Sequence, residues 1–233
     1  MLRKNIEEVI KVKEKTKKAL IITALSLVLV GLVLYIAAEL GAFKKGDKLQ
    51  GIRKELTAVE LTRLMGNGIN LGNTMEAYGH ASLGTNAAVS SYETLWGQPV
   101  TTQEMITAMK KSGFDTIRIP VAWTNTMNFE SGDYTIREDW FARIEEIVGY
   151  AMNENMYVIV NDHWDGSWWG MFGSATAETR QKAMDMYISM WTQIAERFKN
   201  YSDYLIFESA NEELGDRLND QDIAKDSGTL SKI

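Results

Sequence analysis

The sequence predicts an α/β domain built on a parallel sheet, behind one N-terminal transmembrane helix. Three observations predict it. Four short strand-like runs, starting near residues 68, 116, 157 and 204, alternate with helical stretches, and such alternation implies a parallel sheet with right-handed crossovers. Polar and aromatic residues gather directly after the C-terminal ends of these runs, where barrel enzymes place their sites. Ahead of them lie 20 residues, Ala19 to Ala38, without a single charge.

That apolar stretch comes first along the chain. At the helical rise it extends about 30 Å, the thickness of a bilayer's hydrocarbon core. Lys11, Lys13, Lys15, Lys17 and Lys18 sit just before it. The positive-inside rule then keeps the N-terminus in the cytoplasm and exports the rest. A cleaved signal peptide would have a shorter apolar stretch and small residues at a cleavage site. Glu39 and Leu40 follow here instead, so an uncleaved anchor is favoured. The expected organisation is a basic cytoplasmic segment (1–18), a signal-anchor (19–40), a polar linker (41–52) and the functional domain (53–233).

Composition narrows the function classes. Of 233 residues none is Cys and two are His, which excludes a disulfide scaffold and any Cys-ligated metal. An apolar share of 45% with seven Trp excludes disorder. Residues 1–18 carry seven Lys/Arg against three Asp/Glu, and the rest carries 18 against 28. A body with a balance of −10 is a poor partner for nucleic acid, whose phosphates need a positive surface.

The elements follow in order. Thr57-Ala58-Val59-Glu60 reads as a capping box opening a short helix that ends near Gly66. Gly68 to Leu71 is the first strand, followed by a long segment to Pro99. A second box, Thr101-Thr102-Gln103-Glu104, starts a helix with Met105, Ile106 and Met109 on one face, and Gly113 ends it. Thr116 to Pro120 is β-branched and stops at its proline. Trp140, Ile144, Ile147, Val148 and Ala151 mark the inner face of a helix over 137–155. Tyr157 to Asn161 is apolar enough to be buried on both faces. In the long helix from Ala177 to Phe198, Met184, Ile188, Trp191 and Ala195 recur at helical spacing. Tyr204 to Phe207 is the fourth strand.

Two architectures fit this order. One is a small doubly wound sheet. The other is the first half of a (β/α)8 barrel. Residues 51–233 number 183, fewer than the roughly 200–250 of a whole barrel. The strand-end clusters favour the barrel, and no Gly-rich phosphate loop follows the first strand.

Alternation along the strands places the candidate chemistry. Tyr157, Ile159, Asn161 and His163 share one parity, so His163 leaves the third strand on the side of Asn161. Ile206, Glu208, Ala210 and Glu212 share parity, with Glu212 at the mouth and Glu208 about 13 Å deeper. Arg118 ends the second strand. Arg118, His163 and the Asn211-Glu212 pair thus form a plausible acid–base site at three successive strand ends. Glu212 can donate a proton to a leaving oxygen if burial or charge keeps it protonated. Asn211 can bond a substrate hydroxyl beside the reacting carbon. Arg118 keeps its charge and can hold a carboxylate ionised and oriented. His163 can bind a hydroxyl or orient a carboxylate. His80, in the long first loop, has no assigned role. Trp96, Trp164, Trp168 and Trp169, with Trp123 after the second strand, form an aromatic cluster suited to stacking on pyranose faces. Trp140 and Trp191 sit at helix core positions.

These residues resemble a known family. Gly68-Ile69-Asn70-Leu71-Gly72-Asn73-Thr74 and Glu93-Thr94-Leu95-Trp96-Gly97 are similar to the opening of glycoside hydrolase family 5 cellulases. So are residues 113–120 (GFDTIRIP), 157–163 (YVIVNDH) and Ile206-Phe207-Glu208 followed by Asn211-Glu212. The likeness runs from about Leu56 to Asp220. It implies a retaining endo-β-1,4-glucanase on a (β/α)8 barrel, with four βα units present here. Glu212 would be the acid/base, Asn211, Arg118 and His163 its companions, and the nucleophile a Glu on the seventh strand. Retention needs two carboxyls about 5–5.5 Å apart, one to attack and one to protonate and then activate water. The chain departs from the pattern at Glu213, where the family has Pro, and at His163-Trp164-Asp165, where many relatives have two consecutive His. Ile233 comes before strands five to eight, so the chain is expected to be a fragment of a longer enzyme or an incomplete reading frame, with the C-terminal half-barrel missing. A half-barrel exposes strand edges and an apolar interior. Alone, the chain is expected to be poorly stable and inactive on cellulose.

The expected function is therefore cleavage of β-1,4-glucan at a membrane surface, the catalytic domain outside the cell. The chemistry needs no metal and no cofactor. Mannan, xylan, xyloglucan or mixed-linkage glucan is the neighbouring choice of substrate. The reading from another class is a surface-displayed carbohydrate-binding protein without catalysis, and a third is an anchor carrying a vestigial outer half.

Overall fold

A computed structural model describes Arg53, residues 55–166 and residues 168–211. All belong to one compact unit that starts at Leu49. Ala19–Ala38, the linker and Glu212 lie outside the described residues, so the anchor and the acid are not placed by it. Among the described residues no helix is long and apolar enough to cross a membrane.

The element order is α1 (Ala58–Leu64), β1 (Gly68–Asn70), α2 (His80–Leu83), α3 (Val89–Glu93), α4 (Gln103–Lys111), β2 (Thr116–Ile119), α5 (Glu138–Asn153), β3 (Tyr157–Asn161), α6 (Ala177–Phe198) and β4 (Leu205–Glu208). Short 3₁₀ turns at Trp123–Thr126, Phe129–Ser131 and Trp168–Gly173 occupy the loops after β2 and β3. The strands form one parallel sheet in the order β1-β2-β3-β4. A doubly wound sheet reverses its strand order at the switch point. This sheet advances in one direction only, as the first four units of a barrel do, and the doubly wound alternative is set aside.

Local signals account for much of this. In α1 the box is closed both ways: Glu60 N–H donates to Thr57 Oγ1 at 3.2 Å, and Thr57 N–H donates to Glu60 Oε2 at 2.8 Å. The second box is corrected. The cap of α4 is Thr102, whose Oγ1 accepts from Met105 N–H at 3.4 Å. Thr101 is instead buried, donating its N–H to Glu93 Oε1 at 2.7 Å. All five residues of the expected α5 face, from Trp140 to Ala151, are fully buried.

Helix α6 differs from expectation. Its buried stripe is Ala183, Met186, Tyr187, Met190, Ile194 and Phe198, while Ile188 is 54% exposed. Two apolar stripes run along this helix, and both satisfy the helical period. Packing against the Trp168–Gly173 turn, where Tyr187 meets Trp169, and against Phe207 of β4, which meets Phe198, selects the one that includes Tyr187.

The sheet's two faces are unequal. Ile117, Ile119, Val158 and Val160 point to the helices and are fully buried. Arg118, Ile159 and Ile206 have the opposite parity and are half-buried, although Tyr157 and Asn161, on the same face of β3 as Ile159, are buried. At the opposite end from the loops, Tyr157 and Tyr204 stack at 4.4 Å. Arg53 lies over Tyr204, donates to Tyr157 Oη at 3.0 Å and pairs with Asp203 at 2.8 Å. This cluster closes the N-terminal ends of β3 and β4.

Candidate active site

The site grows from register. Asn70 lies beside Arg118, Arg118 beside Ile159, and Asn161 beside Glu208. Side chains of one parity therefore converge where the strands end. Arg118 meets Glu208 side-on: Nε donates to Oε2 at 2.7 Å and Nη2 to Oε1 at 2.5 Å. Nη2 also donates to Asn211 Oδ1 at 2.8 Å. Asn161, fully buried, accepts from Val121 N–H on Oδ1 at 3.3 Å. That contact fixes its amide, so Nδ2 donates to Glu208 Oε1 at 3.3 Å and meets His163 Nδ1 at 3.1 Å. With Nδ1 accepting, the neutral imidazole carries its proton on Nε2.

Charge follows from these contacts. The Arg118 guanidinium holds the Glu208 carboxyl below the usual carboxylate range, and Asn161 adds to the effect. Glu76, in the loop after β1, goes the other way. Burial pushes it up, although Asn73 and Thr74 N–H groups donate to it at 2.5 and 2.9 Å and Arg118 lowers it from a distance. Two carboxyls near one arginine thus have opposite tendencies.

The loop after β3 has its own acidic centre. Asp165 is fully buried and accepts from Thr124 N–H at 2.9 Å and from Thr124 Oγ1 at 2.5 Å. Burial pushes its carboxyl up to about 6, with Asp162 as a hydrogen-bonded neighbour. Through Thr124, Asp165 holds the loop carrying His163 and Trp164 onto the Trp123–Thr126 turn. Among the described residues no group of three or more His, Asp or Glu is arranged to hold a metal ion.

The tryptophans divide. Trp96 and Trp164 are each 42% exposed, with ring centres 6.3 Å apart. Tyr78 meets Trp164 edge-on at 5.6 Å. These three form an open aromatic shelf beside His163. Trp168 and Trp169, expected with them, are core residues: they stack on each other at 4.4 Å and pack against Phe172, and Trp169 also against Tyr187. Trp123 is also buried, its indole N–H donating to Asn161 O at 2.9 Å. The 3₁₀ turn after β3 rolls its two adjacent indoles inward over α6, which no local pattern announces.

The Trp96 loop is tied down from below. Glu93, 1% exposed, receives Arg143 Nε at 2.9 Å and Nη2 at 2.8 Å, besides Thr101 N–H. An open hollow of about 540 Å³ flanks this pair on the outer side, between α3 and α5, away from the strand ends. His80, unassigned from sequence, is a loop fastener: it stacks on Phe129 at 4.6 Å, and Nε2 sits 3.1 Å from Met127 O and 3.5 Å from Glu130.

Arg118 contacts Asn211 directly and is linked to His163 through Glu208 and Asn161, and Glu212 follows Asn211 outside the described residues. Sequence reasoning missed Glu208, Asn161, Glu76 and the Asp162–Asp165 pair. Parity already put Glu208 and Asn161 on the inner face, which was the available signal.

Comparison with known proteins adds the family. The model of the cellulase family, glycosyl hydrolase family 5, matches residues 78–226. Endoglucanase B of Clostridium cellulovorans is 42% identical over 162 residues, covering 70% of this chain and 33% of that protein. A xyloglucan-specific endo-beta-1,4-glucanase of Bacteroides ovatus is 36% identical over 166 residues, 71% of this chain and 32% of its own length. The chain spans about a third of these curated relatives. A solved broad-specificity endoglucanase from Ruminococcus champanellensis with bound cellotriose superimposes with a TM-score of 0.62 at 36% identity, covering 70% of this chain and 46% of that one.

Proposed function

Because the chain belongs to the cellulase family, glycosyl hydrolase family 5, we propose that it supplies the acid/base half of a site that cleaves β-1,4-glucan with retention. The observation that carries this is the array of Arg118, Glu208, Asn161, His163 and Asn211 at three strand ends, next to the Trp96–Trp164 shelf. The shelf takes the apolar face of a glucose unit. Asn211 and His163 bond its hydroxyls. Glu212, directly after Asn211, protonates the departing oxygen and then activates water, opposite a second carboxyl about 5–5.5 Å away that attacks the anomeric carbon.

Unbranched β-1,4-glucan is the first substrate proposed and xyloglucan the second, in keeping with what the relatives' names say of them. The uncharged stretch from Ala19 to Ala38 is proposed to hold the domain at the outer face of a membrane.

Calorimetry with cellotetraose and a xyloglucan heptasaccharide tests recognition, and binding of neither refutes the reading. Hydrolysis is measured on the chain and on a form extended to its relatives' length, each with Glu212→Gln. Turnover that Glu212→Gln abolishes while binding survives makes it an enzyme. Binding without turnover in the extended form favours the carbohydrate-binding alternative. Membrane fractionation of cells expressing the chain, with and without residues 19–38, tests the anchor.

A further inference from the structure

Glu208 has no part in the acid–base scheme, yet it receives three of the site's side-chain hydrogen bonds, from Arg118 and Asn161. Its two oxygens take Arg118 Nε and Nη2, and Oε1 takes Asn161 Nδ2 as well. Side-on binding of a guanidinium by a carboxylate fixes the plane of both groups. Nη2 has two hydrogens. One is held by Glu208 Oε1 at 2.5 Å, so the direction of the other is set, and it reaches Asn211 Oδ1 at 2.8 Å. A guanidinium cannot lose its charge or accept a hydrogen bond. The Asn211 amide therefore cannot turn its NH2 group onto Arg118 while Glu208 holds the arginine in place.

We propose that Glu208 is a positioning residue that acts through Arg118 to lock the Asn211 amide, with its oxygen on the arginine and its NH2 group left to donate to a sugar hydroxyl. The identity of the ligand rests on the function proposed above; the locking does not. Glu208 is ionised because Arg118 and Asn161 hold it so, and its oxygens are engaged by protein donors. It is thereby distinct from Glu212, the group proposed to move a proton. Glu76 is held elsewhere, its oxygens accepting from the Asn73 and Thr74 N–H groups.

The test uses the purified 233-residue chain, in mild detergent to cover residues 19–38. Side-chain ¹⁵N–¹H spectra resolve the Arg118 Nε–H and Asn211 NH2 signals, assigned by their loss in Arg118→Lys and Asn211→Asp. In Glu208→Gln the Arg118 Nε–H is expected to exchange with water about tenfold faster or more, and the Asn211 pair to move toward free-amide positions. Glu208→Asp keeps the charge and is expected to retain both signals with partial protection. Arg118→Lys, which cannot bind side-on, is expected to move the Asn211 signals too; it carries the test if Glu208→Gln does not fold. An unmoved Asn211 pair in folded Glu208→Gln overturns the proposal, even if the melting temperature falls. For cellotetraose, Glu208→Gln and Asn211→Ala are each expected to weaken binding about tenfold, and together little more than either alone. Multiplying effects, near a hundredfold for the pair, overturn the relay. If the unsubstituted chain ignores cellotetraose, the ligand assignment fails and the spectra still decide the positioning role.

Discussion

Gly166 sits where the loop after β3 turns beneath Tyr78, with φ at +72°. A Cβ built there would lie 2.4 Å from Tyr78 Cζ, 2.6 Å from Oη and 2.8 Å from Cε2. The ring's movement is restricted by its neighbours, Trp164 edge-on at 5.6 Å and His80 stacked at 6.1 Å. Gly166→Ala therefore incurs two costs. The left-handed backbone costs about 1–2 kcal/mol for a residue with a Cβ, and forcing a methyl group into occupied space costs about 1–3 kcal/mol. A loss of about 2–5 kcal/mol is expected, or about 5–15 °C in melting temperature for a domain of this size. Urea titration followed by tryptophan fluorescence measures it. The decisive comparison is a cycle with Tyr78→Ala, which removes the ring. In that background only the backbone cost should remain, leaving a coupling of about 1–3 kcal/mol between the two sites. Equal costs of Gly166→Ala in both backgrounds would show that Tyr78 does not press on this turn.

Three further outcomes are expected. Glu93→Ala leaves Arg143 half-buried with the exposed Glu146 as its remaining ion-pair partner, beside the Thr101 carbonyl, which should cost about 3 kcal/mol and free the Trp96 loop, seen as faster amide exchange over residues 94–101. Asp165 has a native pKa raised from 3.8 to about 6, so the native state holds a proton the unfolded chain has lost. Its stabilising contribution is complete below pH 3.8 and vanishes as pH rises through about 6, a loss on the order of 3 kcal/mol that Asp165→Asn should flatten in melting curves from pH 4 to 7.5. Trp96→Ala and Trp164→Ala should each weaken cellotetraose binding up to about tenfold with little change in stability. Trp169→Ala should instead lose about 3–5 kcal/mol of stability, and a pure affinity effect there would contradict its burial.

Much of the fold was legible because its signals are short in range. The Thr57–Glu60 box, the α5 stripe from Trp140 to Ala151 and the places of four strands along the chain all depend on residues within a few positions of one another. Parity along β3 put Asn161 and His163 on one side, and parity along β4 put Glu208 with Glu212; that Arg118 reaches both Glu208 and Asn211 comes from the tertiary structure. A family resemblance carried by five spaced motifs named the chemistry.

Other matters belonged to tertiary structure. Both stripes of α6 satisfy the same period, and only the neighbours of that helix decide that Tyr187 is buried and Ile188 exposed. Trp164 and Trp168 stand four positions apart, yet one lies open beside Trp96 and the other is sealed under Phe172. Glu208 was legible as an inward acid but not as the partner of an arginine 90 residues earlier. Periodicity and capping are settled by backbone geometry within one turn or strand. Burial and charge pairing depend on which surfaces meet across the sheet, and no local window contains both surfaces.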